Sequence, residues 1–119
     1  MSFSRGDIVL VYFPHSDLYT VKLRPALLVQ ADHLNAGIAQ VIVVMISSNL
    51  RRSGHPSRVT VMLNDPLAVG TGLKLDSIII TDNLATVELT QLRTKIGAFS
   101  AMRLVDNALQ HTLGLQPPV

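Results

Sequence analysis

The sequence predicts a mainly β protein with a C-terminal α-helix, in which one helix packs on a small, curled antiparallel sheet. Two observations predict this fold. Short apolar runs rich in β-branched and aromatic residues recur between turn-forming residues, and helical spacing begins only after Ser100. The length of 119 residues fits a single domain spanning 1–119, because no linker or internal repeat divides the chain.

The first two strands are predicted on either side of a polar loop at 15–23. Residues 8–13 (IVLVYF) form an apolar run that a proline ends, which indicates a buried strand. Arg24 and Pro25 precede a second apolar run at 26–31, and proline is compatible with the first position of a strand. Arg24 is therefore expected at the entry to the second strand.

The strongest strand pattern is Gln40–Ser47 (QVIVVMIS), which is apolar on both faces and is predicted to be central in the sheet. Residues 59–63 alternate, which predicts a half-buried strand with three inward side chains: Val59, Val61 and Leu63. The segment 76–88 (DSIIITDNLATVE) begins as a buried strand and loses its pattern midway. Residues 93–97 are predicted to form a short closing strand.

The chain is predicted to end in an amphipathic helix. Ser100 is a good N-cap, and Gly114 followed by two prolines marks the helix end. Between them six apolar residues recur at helical spacing. They are Ala101, Leu104, Val105, Ala108, Leu109 and Leu113.

The composition excludes several classes of protein. Hydrophobic residues make up 48% and charged residues 15%, so the chain is not intrinsically disordered. No apolar run reaches the roughly 18 residues that span a bilayer. The lack of cysteine excludes disulfides and thiolate chemistry, and the four histidines lack metal-ligand spacing. Neither a metal nor another cofactor is expected.

Charge and hydropathy indicate partners and location. A net charge of +2 and a pI near 9.4 permit a nucleic-acid partner. A mean hydropathy of +0.37 leaves more apolar surface than one small core needs, which indicates a subunit interface. The first residues turn acidic by Asp7 and contain no small-residue cleavage site, so no signal peptide is expected and a cytoplasmic location is predicted.

Arginines at two places could contact a phosphate. Arg24, at a loop-to-strand junction, suits a two-pronged phosphate clamp, although a structural salt bridge is the alternative. Arg51, Arg52 and Arg58, with His55 between them, form a cationic loop. That loop is interpreted either as a phosphate-binding patch or as a solvated loop that keeps an apolar protein in solution.

Polar residues interrupt or end two predicted strands. Ser47, Ser48 and Asn49 end the central strand, where they either serve a site or form an ordinary turn. Asp82 and Asn83 interrupt the apolar pattern of 76–88. The carboxylate of Asp82 could accept or donate a proton, or the pair could form a β-bulge.

Five segments in order resemble the MazF/PemK toxin family. The opening RGDIVLVYFP at 5–14 and LRPALLV at 23–29 match the family's first two motifs, which are fairly specific together. Three later segments resemble its next strand, its S-x-V-x-x-[DE]-Q-x-R-T segment, and its closing strand and helix. They are VVMISSN at 43–49, DSIIITDNLATVE at 76–88 and KIGAFSAMRLVDNALQHTLGL at 95–115.

This resemblance implies a small SH3-like barrel of antiparallel strands that forms a homodimer. It also implies a metal-independent, sequence-selective endoribonuclease toxin that cleaves single-stranded RNA and is neutralised by a cognate antitoxin. Arg24 matches the family's catalytic arginine, Ser47 its catalytic threonine, and Asp82 an acid or base of the PemK branch. The residues expected to bind substrate are His15, Ser48, Asn49, Arg51, Arg52, Arg58 and Thr86, with His15 also a candidate second acid or base.

The sequence departs from the family pattern at three positions. Ile80 and Ala85 replace two arginines, and Asn83 replaces a glutamine, whereas Thr86 is retained. Loss of cations beside a reacting phosphate reduces transition-state stabilisation. Two alternatives therefore stand beside the toxin nuclease. One is an inactive member that only binds antitoxin or RNA, and the less favoured one is a gyrase-binding CcdB-type toxin, since the chain ends QPPV without an aromatic residue.

Overall fold

The structure is a computed structural model, and it describes residues 2–14 and 21–116. Its strands are β1 (Asp7–Pro14), β2 (Val21–Leu28), β3 (Gln40–Ser47), β4 (Arg58–Val61), β5 (Ser77–Glu88) and β6 (Leu92–Ala98). One helix, α1 (Met102–Leu113), follows β6. Short 3₁₀ turns lie at Leu50–Arg52, Pro66–Ala68 and Leu89–Gln91. None of the helices in these residues is long and apolar enough to cross a membrane.

The six strands form one antiparallel sheet in the order β4-β5-β3-β2-β1-β6. The sheet is curled, because the turn between β4 and β5 reaches the opposite edge strand: the amide of Ala98 in β6 donates to the carbonyl of Gly70 at 2.9 Å. The predicted mainly β fold with a C-terminal helix is confirmed.

The core covers both faces of the sheet. On one face, Val105 and Ala108 of α1 pack against a buried cluster that includes Val44 and Ile79. A second buried cluster on the other face includes Val43. The prediction that β3 is central and buried on both faces is therefore confirmed, since β3 lies between β2 and β5.

The second strand lies earlier than the predicted 26–31. It begins at Val21, so Pro25 is inside the strand and not at its first position. β2 pairs with β1 along its length but with β3 only from Ala26 onwards. Pro25 is tolerated because this half of β2 has a neighbour on one side only, as at a sheet edge.

Two local predictions near element ends are wrong. Leu63 does not face the core and is 45% exposed, because β4 ends at Val61 and the chain turns out of the sheet. Ser100 is not the helix N-cap; Ala101 holds that position, and no side chain caps the helix there. Gly114 ends the helix as predicted, with a φ of 67° that favours glycine.

The interruption at Asp82 and Asn83 is a β-bulge within one long strand. In β5, Ile80 pairs with Met45 and Leu84 pairs with Val44, so three residues of β5 bulge between consecutive residues of β3. The first of the three, Thr81, is buried, and its hydroxyl donates to the carbonyl of Ser57 at 2.6 Å. This contact fixes the bulge and leaves Asp82 exposed beside it.

Candidate active site

The candidate site lies where β2 and β3 separate. The ladder between them pairs Ala26 with Met45, and its register, extended by two residues, sets Arg24 across from Ser47. The strands no longer pair at that point, and a cavity of about 310 Å³ opens there. It is lined by Arg24, Met45, Ile46, Ser47, Arg52, Ile80, Asn83 and Ala85. We call this space the reaction cavity.

Arg24 and Ser47, two of the three residues predicted to be catalytic, share this cavity. The Arg24 side chain is exposed, and no carboxylate within 2–14 or 21–116 forms an ion pair with it. The Ser47 hydroxyl oxygen accepts a hydrogen bond from the amide of Asn49 at 3.1 Å. Because that bond occupies the oxygen as an acceptor, the Ser47 proton is free to point at a bound anion.

One arginine of the cationic loop lines the reaction cavity. Arg52 lines it, whereas Arg51 does not. Asn49 caps the 3₁₀ turn Leu50–Arg52, since its side-chain oxygen accepts from the Arg51 amide at 3.2 Å. Asn49 thus shapes the turn that carries Arg52, which is a structural contribution.

Asp82 lies beside the cavity but does not line it. Arg58 donates to its carboxylate from Nε at 3.2 Å and from Nη2 at 2.8 Å. These hydrogen bonds lower the pKa of Asp82 below its usual range despite some burial, and the nearby His55 adds to the lowering. The carboxylate stays ionised at neutral pH and is a weaker base than a free aspartate.

The positions that depart from the family pattern face the reaction cavity. It is lined by Ile80, Asn83 and Ala85, of which Ile80 is buried. Arg52, which comes from a different segment of the chain, is the second cation among the described residues that line the reaction cavity. Sequence reasoning placed Arg52 in a charged loop but gave no signal that it alone of that loop reaches the cavity.

The remaining predicted substrate-binding residues are spread out. Ser48 is exposed and lines a neighbouring cavity, while Thr86 is exposed on β5 opposite Ile42. Arg58 is engaged by Asp82. His15 lies outside the described residues. Three or more potential metal-ligating side chains do not cluster anywhere in the described part of the chain.

The neighbouring cavity was not predicted from sequence. It has a volume of about 370 Å³ and shares Arg24, Ile46 and Ser47 with the reaction cavity. Its other walls come from β1, β2, β6, the residue after β3, and the loop that leads into the first residue of β5. They are Leu10, Lys22, Leu23, Pro25, Ser48, Gly72, Leu73, Lys74, Leu75, Ser77 and Ile96. The segments that build it are separated in sequence, so no local motif marked it.

Comparison with solved structures defines the class of fold. The chain superposes on an endoribonuclease in complex with its cognate antitoxin from a mycobacterial species, with a TM-score of 0.75 and 23% identity, covering 98% of this chain and 100% of that one. It also resembles MazF in a MazE–MazF complex from Deinococcus radiodurans, with a TM-score of 0.71 and 18% identity over 98% of this chain and 100% of the other. At these identities the likeness establishes the fold, which is that of toxins of toxin–antitoxin systems.

Sequence comparison then gives the family. Residues 4–113 match the family model described as PemK-like, MazF-like toxin of type II toxin-antitoxin system. The endoribonucleases MazF2 of Mycobacterium bovis and MazF6 of Mycobacterium tuberculosis are each 32% identical over 119 residues, covering 97% of this chain and 100% of each relative. The chain belongs to the PemK-like, MazF-like toxin family, as its motifs predicted.

Proposed function

We propose that this protein is a metal-independent, sequence-selective endoribonuclease of the cytoplasm that cleaves single-stranded RNA and is neutralised by a cognate antitoxin. The observation that carries the proposal is the meeting of Arg24, Ser47 and Arg52 around one open cavity, in a chain of this family. Two guanidinium groups and a hydroxyl that can donate are suited to hold a phosphodiester. The relatives named as endoribonucleases align with 97% of this chain.

The chemistry is a transesterification within the RNA. The 2′-oxygen attacks the adjacent phosphorus in line with the leaving 5′-oxygen, so an O2′–P bond forms as the P–O5′ bond breaks. The 2′-hydroxyl gives its proton to a base, and an acid supplies a proton to the departing O5′. The products are a 2′,3′-cyclic phosphate and a 5′-hydroxyl. Since both reacting groups lie in one substrate, the enzyme contributes alignment, charge stabilisation and proton transfer.

Arg24 stabilises the phosphate as charge develops on its non-bridging oxygens, and its side chain is also a candidate proton donor to the leaving group. Ser47 donates its hydroxyl proton to the same phosphate. Arg52 supplies the second positive charge and so compensates for the apolar residues at positions 80 and 85.

Proton abstraction from the 2′-hydroxyl is assigned to Asp82. This assignment requires the carboxylate to face the substrate while Arg58 holds it from behind. The low pKa of Asp82 keeps it in the deprotonated form that a base needs, at the expense of basicity. His15 is the candidate second acid or base.

The proposed assembly is a homodimer that binds an antitoxin. Eleven large hydrophobic side chains are exposed on the described surface, including Ile38, Val69 and Leu75. These side chains offer apolar contact for a second subunit or a peptide. Relatives of this fold have been solved with their antitoxins.

A second candidate function is RNA or antitoxin binding without catalysis. It is favoured by the apolar Ile80 and Ala85 in the reaction cavity and by the position of Asp82 outside its lining. Incubation of the purified protein with a random single-stranded RNA pool in excess EDTA separates the two. Fragments with 5′-hydroxyl and cyclic-phosphate ends support the nuclease, whereas intact RNA that the protein binds indicates the non-catalytic function. Cleavage that requires an added divalent ion contradicts the metal-independent mechanism.

A further inference from the structure

We propose that the cavity beside the reaction cavity binds one nucleobase next to the scissile phosphate, and that the 72–75 loop helps to select that base. We call this cavity, with the lining given above, the base pocket. The inference rests on the proposed RNA substrate and adds to it a specificity-determining element.

The chemistry of the base pocket fits a nucleotide. Its floor is apolar, from Leu10, Ile46 and Ile96, whereas Lys22 and Lys74 are exposed at its rim. Among the residues that the structure describes, no carboxylate lines it. A volume of about 370 Å³ lies within the range of small-molecule sites, roughly 300–1,000 Å³. A flat base can cover the apolar floor while its flanking phosphates meet the lysines.

The location of the base pocket favours RNA as its occupant over a peptide or a second subunit. It shares Arg24, Ile46 and Ser47 with the reaction cavity, so the two spaces adjoin at these three residues. A strand whose phosphate rests on Arg24 must continue from that point, and the base pocket receives the neighbouring nucleotide. Charge complementarity points the same way, since the rim carries cations from two separate segments.

The wall of the base pocket is held in place at its start. Gly72 has a φ of 72°, and a Cβ at this residue would collide with the backbone carbonyl of Ile96. A Cβ on Gly97 would likewise collide with the backbone of Thr71. The Thr71 hydroxyl is buried, donates to the carbonyl of Ala68 at 2.8 Å and accepts from the Leu73 amide at 3.3 Å. Two glycines thus allow the turn to lie directly on β6.

The end of the loop is also held. The Ser77 hydroxyl donates to the carbonyl of Leu75 at 2.7 Å, and the Asp76 carboxylate accepts from the Leu63 amide at 2.7 Å. The Lys74 and Leu75 side chains, exposed at the tip, are therefore presented by a preformed wall. A site that needs no ordering on binding loses less entropy and discriminates better between ligands.

An abasic scan of an RNA that resists cleavage tests the base pocket independently of catalysis. Short single-stranded RNAs with a 2′-deoxy group at the scissile position carry an abasic site at each position in turn, and their affinities are measured for wild type and Leu75→Ala. Leu75 is 62% exposed, so its truncation leaves the fold intact. Leu34→Ala is the matched control, since Leu34 is 50% exposed and lines neither cavity.

For wild type, we expect an abasic site at one position beside the scissile phosphate to weaken RNA binding about tenfold relative to the intact RNA. For Leu75→Ala, the abasic site at that position should cause no further loss of affinity relative to the intact RNA. The other positions and the Leu34→Ala control should behave additively. In cleavage of a random RNA pool, Leu75→Ala should relax the preference at that one position. Lys74→Ala should weaken binding to all sequences and reduce its salt dependence.

Several outcomes overturn the proposal. Additive losses at every position show that Leu75 contacts no base. Unchanged RNA affinity with weaker antitoxin binding assigns the pocket to a peptide, and a lower dimer fraction assigns it to a second copy of the chain. If the wild-type protein cleaves RNA but the losses of RNA affinity in the abasic scan are additive, the base-pocket proposal is refuted and the proposed nuclease function is not. If the wild-type protein does not cleave RNA but one abasic position is non-additive with Leu75→Ala, the nuclease function is refuted and the base-pocket proposal is not.

Discussion

Two guanidinium nitrogens of Arg58 donate hydrogen bonds to the Asp82 carboxylate, at 3.2 and 2.8 Å. The third nitrogen donates to the carbonyl of Arg52 at 3.1 Å. One side chain therefore joins the β5 bulge to the 3₁₀ turn that carries Arg52 into the reaction cavity. It lowers the pKa of the assigned base and positions the second cation at the same time. The planar fork of arginine is suited to this dual contact, whereas a lysine ammonium is not.

Asp82→Asn is expected to lower the cleavage rate by at least about 10²-fold, because the amide does not take up a proton from the 2′-hydroxyl. Single-turnover cleavage of a defined RNA measures the effect. Since the pKa of Asp82 is lowered, the wild-type rate should show no acidic limb from this group near neutral pH. Arg58→Met should move that limb to higher pH by releasing the carboxylate. A wild-type rate in Asp82→Asn would remove this residue from proton transfer.

The same ion pair predicts a pH dependence of stability. The pKa of Asp82 is lower in the folded state than in the unfolded state. The ion pair therefore contributes to the free energy of unfolding when the pH is above the unfolded-state pKa, near 4. This contribution is lost as the pH falls through the folded-state pKa. Asp82→Asn should therefore lower the melting temperature slightly at pH 7 and much less at the most acidic pH at which the protein stays folded. The effect is small because both side chains are partly exposed. A difference that grows on acidification would contradict it.

Arg52→Ala is expected to reduce cleavage by about 10²-fold, as for the loss of one preorganised donor to the transition state. Arg51→Ala is the matched control, because Arg51 is the adjacent arginine of the same turn and does not line the reaction cavity. In the Arg52→Ala background, Ala85→Arg should restore part of the rate, since residue 85 faces the same space. Equal effects of the Arg51 and Arg52 substitutions would assign both to general attraction of RNA.

Arg24→Lys is expected to lower the cleavage rate by about 10²-fold while RNA affinity and melting temperature change little. The substitution keeps the charge but loses the two-pronged geometry, and the exposed side chain contributes little to folding. Melting temperature and single-turnover cleavage are measured on one preparation. A stable Arg24→Lys variant that cleaves at the wild-type rate would exclude Arg24 from the mechanism.

A homodimer is expected at micromolar concentration, with an interface of well over about 1,000 Å². The exposed large hydrophobic residues supply the apolar area for it. Sedimentation equilibrium measures the mass directly. A monomer of 12.9 kDa at this concentration would contradict the prediction.

The sequence by itself determined the elements and the two residues that open the site. Alternation and apolar runs report which faces of a strand are buried, so β3 was predicted with its bounds, and the helical spacing gave α1 to within one residue at its start. Arg24 and Ser47 were found because each borders an apolar run in the sequence, although Arg24 lies inside β2 and not at its end. The resemblance to the family motifs indicated the same two residues.

Only the tertiary structure decided which other side chains meet them. Whether Arg51, Arg52 or Arg58 reaches the cavity depends on the cap at Asn49 and on the bulge that sets Asp82 against Arg58. The base pocket depends on the close approach of the 70–72 turn to β6, across the curl of the sheet. Strand register and loop docking are set by contacts between distant segments, and a local pattern of residues carries no record of them.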